Sequence, residues 1–92
     1  MPKAYNLPVF LSAKREATGL SQKEVADRLG YATSQFVSNW ERGQAQPPVD
    51  ILRKLCAIYK ISPDEMFQHI LSTKVEQLKG NLERKFYGRR LR

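Results

Sequence analysis

A twelve-residue stretch, Gly19 to Gly30 (GLSQKEVADRLG), both starts and stops a helix. Ser21 and Glu24 stand three apart, just ahead of the apolar pair Val25 and Ala26. In that arrangement the serine hydroxyl accepts a bond from the glutamate's backbone N–H, and the glutamate returns one to the serine's own N–H. Gly19 ends the segment before it, and Gly30 supplies a left-handed stop. A chain punctuated this tightly is built from short helices and tight turns.

The rest of the chain repeats the pattern. Val9 to Ala17 reads as a first helix, with Phe10, Leu11, Ala13 and Ala17 as its inner stripe and Lys14, Arg15 and Glu16 facing out. Ser21 to Leu29 is the second. Thr33 or Ser34 caps a third that runs to Arg42 and is closed by Gly43. Residues 44–48, QAQPP, form a loop, because two adjacent prolines disfavour a helix across them. Val49 to Tyr59 is a fourth helix, with Ile51, Leu52, Leu55, Cys56 and Ile58 or Tyr59 as its core stripe. Ser62 caps a fifth, Pro63 takes its first position, Asp64 and Glu65 complement its dipole, and Glu65 completes a second capping box. No stretch alternates as a strand, and no segment repeats.

The fifth helix has no clear stop. Phe67, Leu71, Val75, Leu78, Leu82 and Phe86 recur at spacings of 4, 4, 3, 4 and 4. This is more apolar stripe than a compact domain needs. Gly80 and Asn81 are poor helix formers, so the segment is either one long helix or a helix hinged near residue 80. The expected fold is all-α: a compact five-helix domain with an extended C-terminal helix or tail. Its domain is residues 1–73, and residues 74–92 are a basic amphipathic extension that folds back on the domain or mediates dimerisation through Val75, Leu78, Leu82 and Phe86.

Charge supports that division. The chain of 92 residues carries a net charge of +7. Residues 1–73 hold nine Lys/Arg against seven Asp/Glu, whereas residues 74–92 hold seven against two. Such a balance attracts polyanions, nucleic acid foremost. Arg84, Lys85, Arg89, Arg90 and Arg92 are candidate phosphate contacts from the tail. No run is long enough to span a membrane, and no secretory signal is legible, so a cytoplasmic location is expected. The single cysteine excludes an internal disulfide.

Catalytic chemistry finds little footing. Cys56 falls on the apolar stripe of the fourth helix, and His69, the only histidine, is placed on the flank of the fifth. The two cannot make a zinc set, no acidic pair is placed for acid/base work, and there is no glycine-rich phosphate loop, so no enzyme, metal or cofactor is expected. The third helix is more informative. Val37 and Trp40 face the core, while Gln35, Ser38, Asn39 and Arg42 fall on or beside the other face. An amide both donates and accepts, which suits the edge of adenine in a major groove, and serine serves more weakly. Phe36 either packs under the turn or touches a thymine methyl. Gln22 and Lys23, in the first turn of the second helix, are placed to meet phosphates.

Two short helices joined by a small turn, the second with an uncharged hydrogen-bonding face, make a helix-turn-helix. The ordered set Leu20-Ser-Gln-Lys-Glu24, Ala26, Leu29-Gly30, Val37-Ser38, Glu41-Arg42-Gly43, Pro47 or Pro48, Leu52, Leu55 and Ile61-Ser-Pro-Asp-Glu-Met-Phe67 resembles the lambda-repressor/Cro-type, or XRE-like, helix-turn-helix family. The resemblance covers roughly residues 7–71. It implies a lambda-repressor-like five-helix DNA-binding domain, dimeric on DNA, found in bacterial and phage repressors, antitoxins and other regulators. By position, Gln22 is similar to the family's phosphate-clamping glutamine. Ser34, Gln35 and Asn39 match positions facing base edges, Ser38 a flanking one, and Arg42 and Gln44 the phosphate-facing end. The turn departs from the family: twelve residues separate Gly30 from Gly43, one more than is common. The implied partners are a double-stranded DNA operator, a second copy of the chain and, for an antitoxin, a toxin protein.

Overall fold

The computed structural model describes residues 5–88, and these are helical: α1 (Leu7–Thr18), α2 (Gln22–Leu29), α3 (Gln35–Glu41), α4 (Val49–Tyr59) and α5 (Pro63–Tyr87). The first helix starts two residues earlier than expected, and the glycine stops and the first capping box are in place. Asn6 caps α1 by accepting from the Val9 N–H, and Gly19 ends it in the left-handed conformation. The capping box of α2 is complete in both directions. The Ser21 backbone and hydroxyl, bonding the Glu24 carboxyl, hold it below the usual carboxylate range. At α5 only half of the second box forms: Ser62 accepts from the Glu65 N–H, but the Glu65 carboxylate lies 3.7 Å from Lys14 on α1. The expected second capping box is therefore replaced by an ion pair between helices.

The core gathers Leu7 and Leu11 from α1, Val25 and Ala26 from α2, Val37 and Trp40 from α3, Ile51, Leu52, Leu55 and Tyr59 from α4, then Ile61 and Met66. Each fully buried aliphatic side chain contributes about 1.5–3 kcal/mol. The α1 stripe differs from expectation. Ala13 and Ala17 are exposed, and the inward face is Leu7, Leu11 and, four residues on again, Arg15. A four-residue step keeps side chains on one side of a helix, so Arg15 continues the core line rather than facing out. Cys56 is half-buried at the edge of the core, and burial pushes its thiol pKa up. His69 is buried rather than on a flank. Its ring stacks on Phe10 with centroids 3.7 Å apart, and Tyr5 meets it edge-on at 4.9 Å. It is where α1 lies against α5.

The fifth helix is one uninterrupted element of 25 residues, with Gly80 and Asn81 inside it and no hinge. The cost of an interior glycine is about 1 kcal/mol, which a helix of this length absorbs. Met66, His69 and Ile70 pack inward. At 100° per residue, the stripe from Phe67 to Phe86 falls on nearly the opposite side. All six of its residues are exposed. The stripe is thus a second apolar face turned away from the domain, and it does not fold back.

Among the described residues, Lys60 is the non-glycine position with a positive φ. Lys60 ends α4 at φ 58°, ψ 48°, the left-handed conformation otherwise held here by glycines. Lys60→Gly should stabilise the domain by about 0.5–1 kcal/mol, read as a higher urea midpoint with an unchanged slope.

Candidate nucleic-acid interface

The turn between α2 and α3 is set by backbone geometry. Gly30 sits at φ +86°, where a side chain would be strained, and the Tyr31 N–H returns to the Ala26 carbonyl at 2.9 Å. The chain then bends through Ala32–Ser34 before α3 begins at Gln35. Ser34 occupies the cap position without a side-chain cap bond, and the Thr33 hydroxyl accepts from the Gln35 N–H at 3.3 Å. Of the two expected caps, Thr33 supplies the bond.

Val37 and Trp40 are buried and hold α3 against the domain. Phe36 lies over Tyr31, with centroids 4.8 Å apart, yet it remains 52% exposed. It packs beside the turn and still presents half its surface to solvent. The polar residues form a connected row. Asn39 Oδ1 accepts from Gln35 Nε2 at 2.9 Å and from the Arg42 guanidinium at 3.0 Å. Arg42 also donates to Gln44 Oε1 at 3.3 Å. Gln35, Arg42 and Gln44 are exposed, and Ser34, Ser38 and Asn39 are half-buried.

The end of α3 is tied to the helices behind it by Glu41. Arg15 donates to both of its carboxylate oxygens, at 2.7 and 3.1 Å, and also to the Leu20 carbonyl at 2.8 Å. Gln22 Nε2 donates to Glu41 Oε1 at 2.9 Å. The Arg15 and Glu41 side chains are only 12% and 7% exposed. The Glu41 bond holds the Arg15 pKa above its ordinary value, and burial, reinforced by the Glu41 charge, raises that of Tyr59. Sequence reading set Arg15 on the outside and gave Glu41 no role. The signal was the Leu7, Leu11, Arg15 step of four, which marks an arginine at a core position that needs a buried carboxylate.

The structure therefore brings Gln22, Gln35, Asn39, Arg42 and Gln44 into two bonded groups joined through α3. Lys23 is exposed and paired with Asp27 on its own helix. Arg84 and Lys85 lie in the last turn of α5, and Arg84 bonds Asn81. Arg89, Arg90 and Arg92 fall outside the described residues.

A helix-turn-helix family model matches residues 11–66. The chain belongs to the helix-turn-helix family. The match spans α2, the turn and α3 entire, and it stops at the first turn of α5. A relative is the HTH-type transcriptional regulator ImmR of Bacillus subtilis (strain 168), 37% identical over 54 residues. Those residues are 59% of this chain and 42% of the regulator, so the chain spans less than half of the curated relative it matches. No solved structure matches. The lambda-repressor/Cro-type resemblance and the all-α five-helix fold both stand. The long outer half of α5 lies beyond the family match.

Removing one partner of a buried ion pair strands the other. Glu41→Ala should lower unfolding free energy by about 3 kcal/mol, measured by urea denaturation. Pairing it with Arg15→Met should restore part of that loss, because the double variant leaves no buried charge.

Proposed function

We propose that the chain is a sequence-specific, double-stranded-DNA-binding transcriptional regulator, acting as a repressor, with α3 as the helix that enters the major groove. The bonded row on α3 carries this reading. Asn39 Oδ1 is occupied twice, so its Nδ2 remains to donate; Gln35 keeps an N–H and its Oε1. Donor and acceptor are held side by side on a helix anchored by Val37 and Trp40, which fits the paired N6 and N7 groups of adenine. Ser34 and Ser38 flank them. Residues 1–73 act as the reading domain, and residues 74–92 as its extension.

Phosphates fall to the groups around that row. Gln22 keeps one amide N–H beyond its bond to Glu41, at the first turn of α2 where backbone N–H groups also point outward. Arg42 has neutral partners in the described residues, so its charge is unspent. Lys23, Gln44, Arg84, Lys85, Arg89, Arg90 and Arg92 complete the set. Two copies bind as a homodimer on paired half-sites, and the location is cytoplasmic. No helix of the described residues is long and apolar enough to cross a membrane. The helix-turn-helix match and the likeness to the Bacillus transcriptional regulator support a regulator.

A second reading is an antitoxin that also binds its own operator. The exposed apolar face of α5 favours it, since a toxin could cover that face. Co-purification with a small protein encoded beside it would support that version.

Selection of bound duplexes from a random pool tests the DNA reading; recovery of unbiased sequence would sink it. On the selected site, Gln35→Ala or Asn39→Ala should cost about 1–3 kcal/mol and relax preference at one base pair. Gln22→Ala and Arg42→Ala should weaken all duplexes alike, and Arg42→Ala should reduce the slope of log K against log salt by about 1.

A further inference from the structure

Among the described residues of α2 and α3, Phe36 is the large apolar side chain left exposed. At 100° per residue it lies about 60° from Asn39 on one side and about 40° from Trp40 on the other. It therefore stands where the buried face of α3 meets the bonded amide row. Its inner side is held. The Tyr31 ring lies 4.8 Å away at a 38° tilt and the Trp40 ring 6.5 Å away at 33°, while Tyr31 meets Trp40 edge-on at 5.9 Å. A ring fixed by two others has little rotamer freedom left to lose, so covering its outer side costs little conformational entropy. Single exposed apolar residues are common on protein surfaces. This one differs in standing beside the row that the DNA reading turns toward a groove.

A phenyl ring neither donates nor accepts a conventional hydrogen bond. Pressed on the major-groove edge of guanine or cytosine, it strips water from N7, O6 or N4 and returns no partner, a net cost. Thymine alone among the four bases presents an apolar group there, its C5-methyl. We propose that Phe36 determines specificity by packing on a pyrimidine C5-methyl, in the base pair bonded by Gln35 and Asn39 or in the next one. This rests on the DNA reading above and names the group recognised beside adenine. Reach agrees: Cβ atoms three apart on a helix are about 5–6 Å from each other, against a step of ~3.4 Å between base pairs. The amides select by hydrogen bonds, and the ring selects by an apolar contact that only a methyl can return.

A methyl, not a whole base, is what the ring detects. 5-Methylcytosine carries the same methyl on the same ring carbon. A cytosine at that position leaves the space against Phe36 unfilled, and methylation fills it. Binding to a site with cytosine there therefore rises when the cytosine is methylated, which makes α3 responsive to C5 methylation of DNA. Uracil in place of thymine acts in the opposite sense, since it lacks the methyl and keeps every hydrogen-bonding group. Burial of one methyl corresponds to about a fourfold change in affinity in either comparison.

The test uses the full chain and the duplex recovered by selection from a random pool. Each thymine of that site is replaced in turn by deoxyuridine, and binding is titrated at fixed salt. At one position in each half-site the replacement should weaken wild-type binding about fourfold. Phe36→Ala should bind the thymine and uracil duplexes equally, and Phe36→Leu should keep part of the difference. Each ratio is taken within one variant, so a smaller folded fraction in Phe36→Ala cancels. With cytosine at the same position, 5-methylcytosine should raise wild-type affinity about fourfold and leave Phe36→Ala unchanged. A site indifferent to every uracil, a uracil penalty that persists in Phe36→Ala, or equal binding of cytosine and 5-methylcytosine overturns the proposal. Failure of the DNA reading looks different, because the pool then returns no preferred sequence and both fall together. A preferred sequence that tolerates uracil throughout keeps the DNA reading and removes Phe36 from it.

Discussion

The Arg15–Glu41 pair is the joint on which the other parts turn. Glu41 is the last residue of α3, Arg15 belongs to α1, and Gln22 opens α2. One carboxylate accepts from both, and Arg15 also bonds the Leu20 carbonyl just before α2. Two charges this deep gain from each other only if every remaining donor and acceptor is also placed, which makes the arrangement demanding in geometry. The return is a fixed angle between three helices. A helix of seven residues such as α3 has too few turns to hold itself, so its direction must come from such outside bonds.

The backbone plan was legible because glycine, proline and capping residues act locally. Gly19, Ser21, Glu24 and Gly30 each impose a conformation on one or two neighbours, and all were placed by spacing alone. Long-range choices were not. Glu65 had two uses, closing its own cap or pairing with Lys14, and only the packing of α1 against α5 decides between them. His69 is polar by name, but its ring stacks on Phe10 and meets Tyr5 edge-on, a burial that depends on α1 crossing at that level. Arg15 was misread for a related reason: its position obeys the core period, while its charge suggests the surface. A charged residue on a core period asks for a partner elsewhere in the sequence, and Glu41 lies 26 positions away.

The fifth helix shows how one pattern can carry two messages. A single apolar stripe was visible in the sequence, but the residues that dock α5 on its own domain are others, Met66, His69 and Ile70. The inner face is short: past Ile70 no described residue of α5 joins the core. The outer face continues for four more turns, and its apolar residues stay exposed among the described residues. Such a helix is amphipathic toward solvent on one side and toward its core on the other, so it gives little net periodicity over its full length. That balance also explains why Gly80 does not break it. Among the described residues the outer half adds nothing to the core, and its continuity comes from the helix bonds themselves.

If the proposed DNA reading holds, the row on α3 and the charge of the tail divide specificity from attraction. Gln35 and Asn39 are uncharged, so they add little to the field that draws a polyanion inward. Their amides already bond each other, so contact with a base would exchange partners more than it would order loose side chains. A duplex that offers the wrong edge leaves those donors and acceptors unmatched in a dry groove, and the penalty falls on that sequence alone. The concentration of Lys and Arg after residue 73 supplies an attraction that is blind to sequence. If cations replaced the amides of α3, affinity would rise on every duplex while the difference between duplexes shrank. In the proposed reading, the uncharged face is therefore what would allow a chain with net charge +7 to discriminate at all.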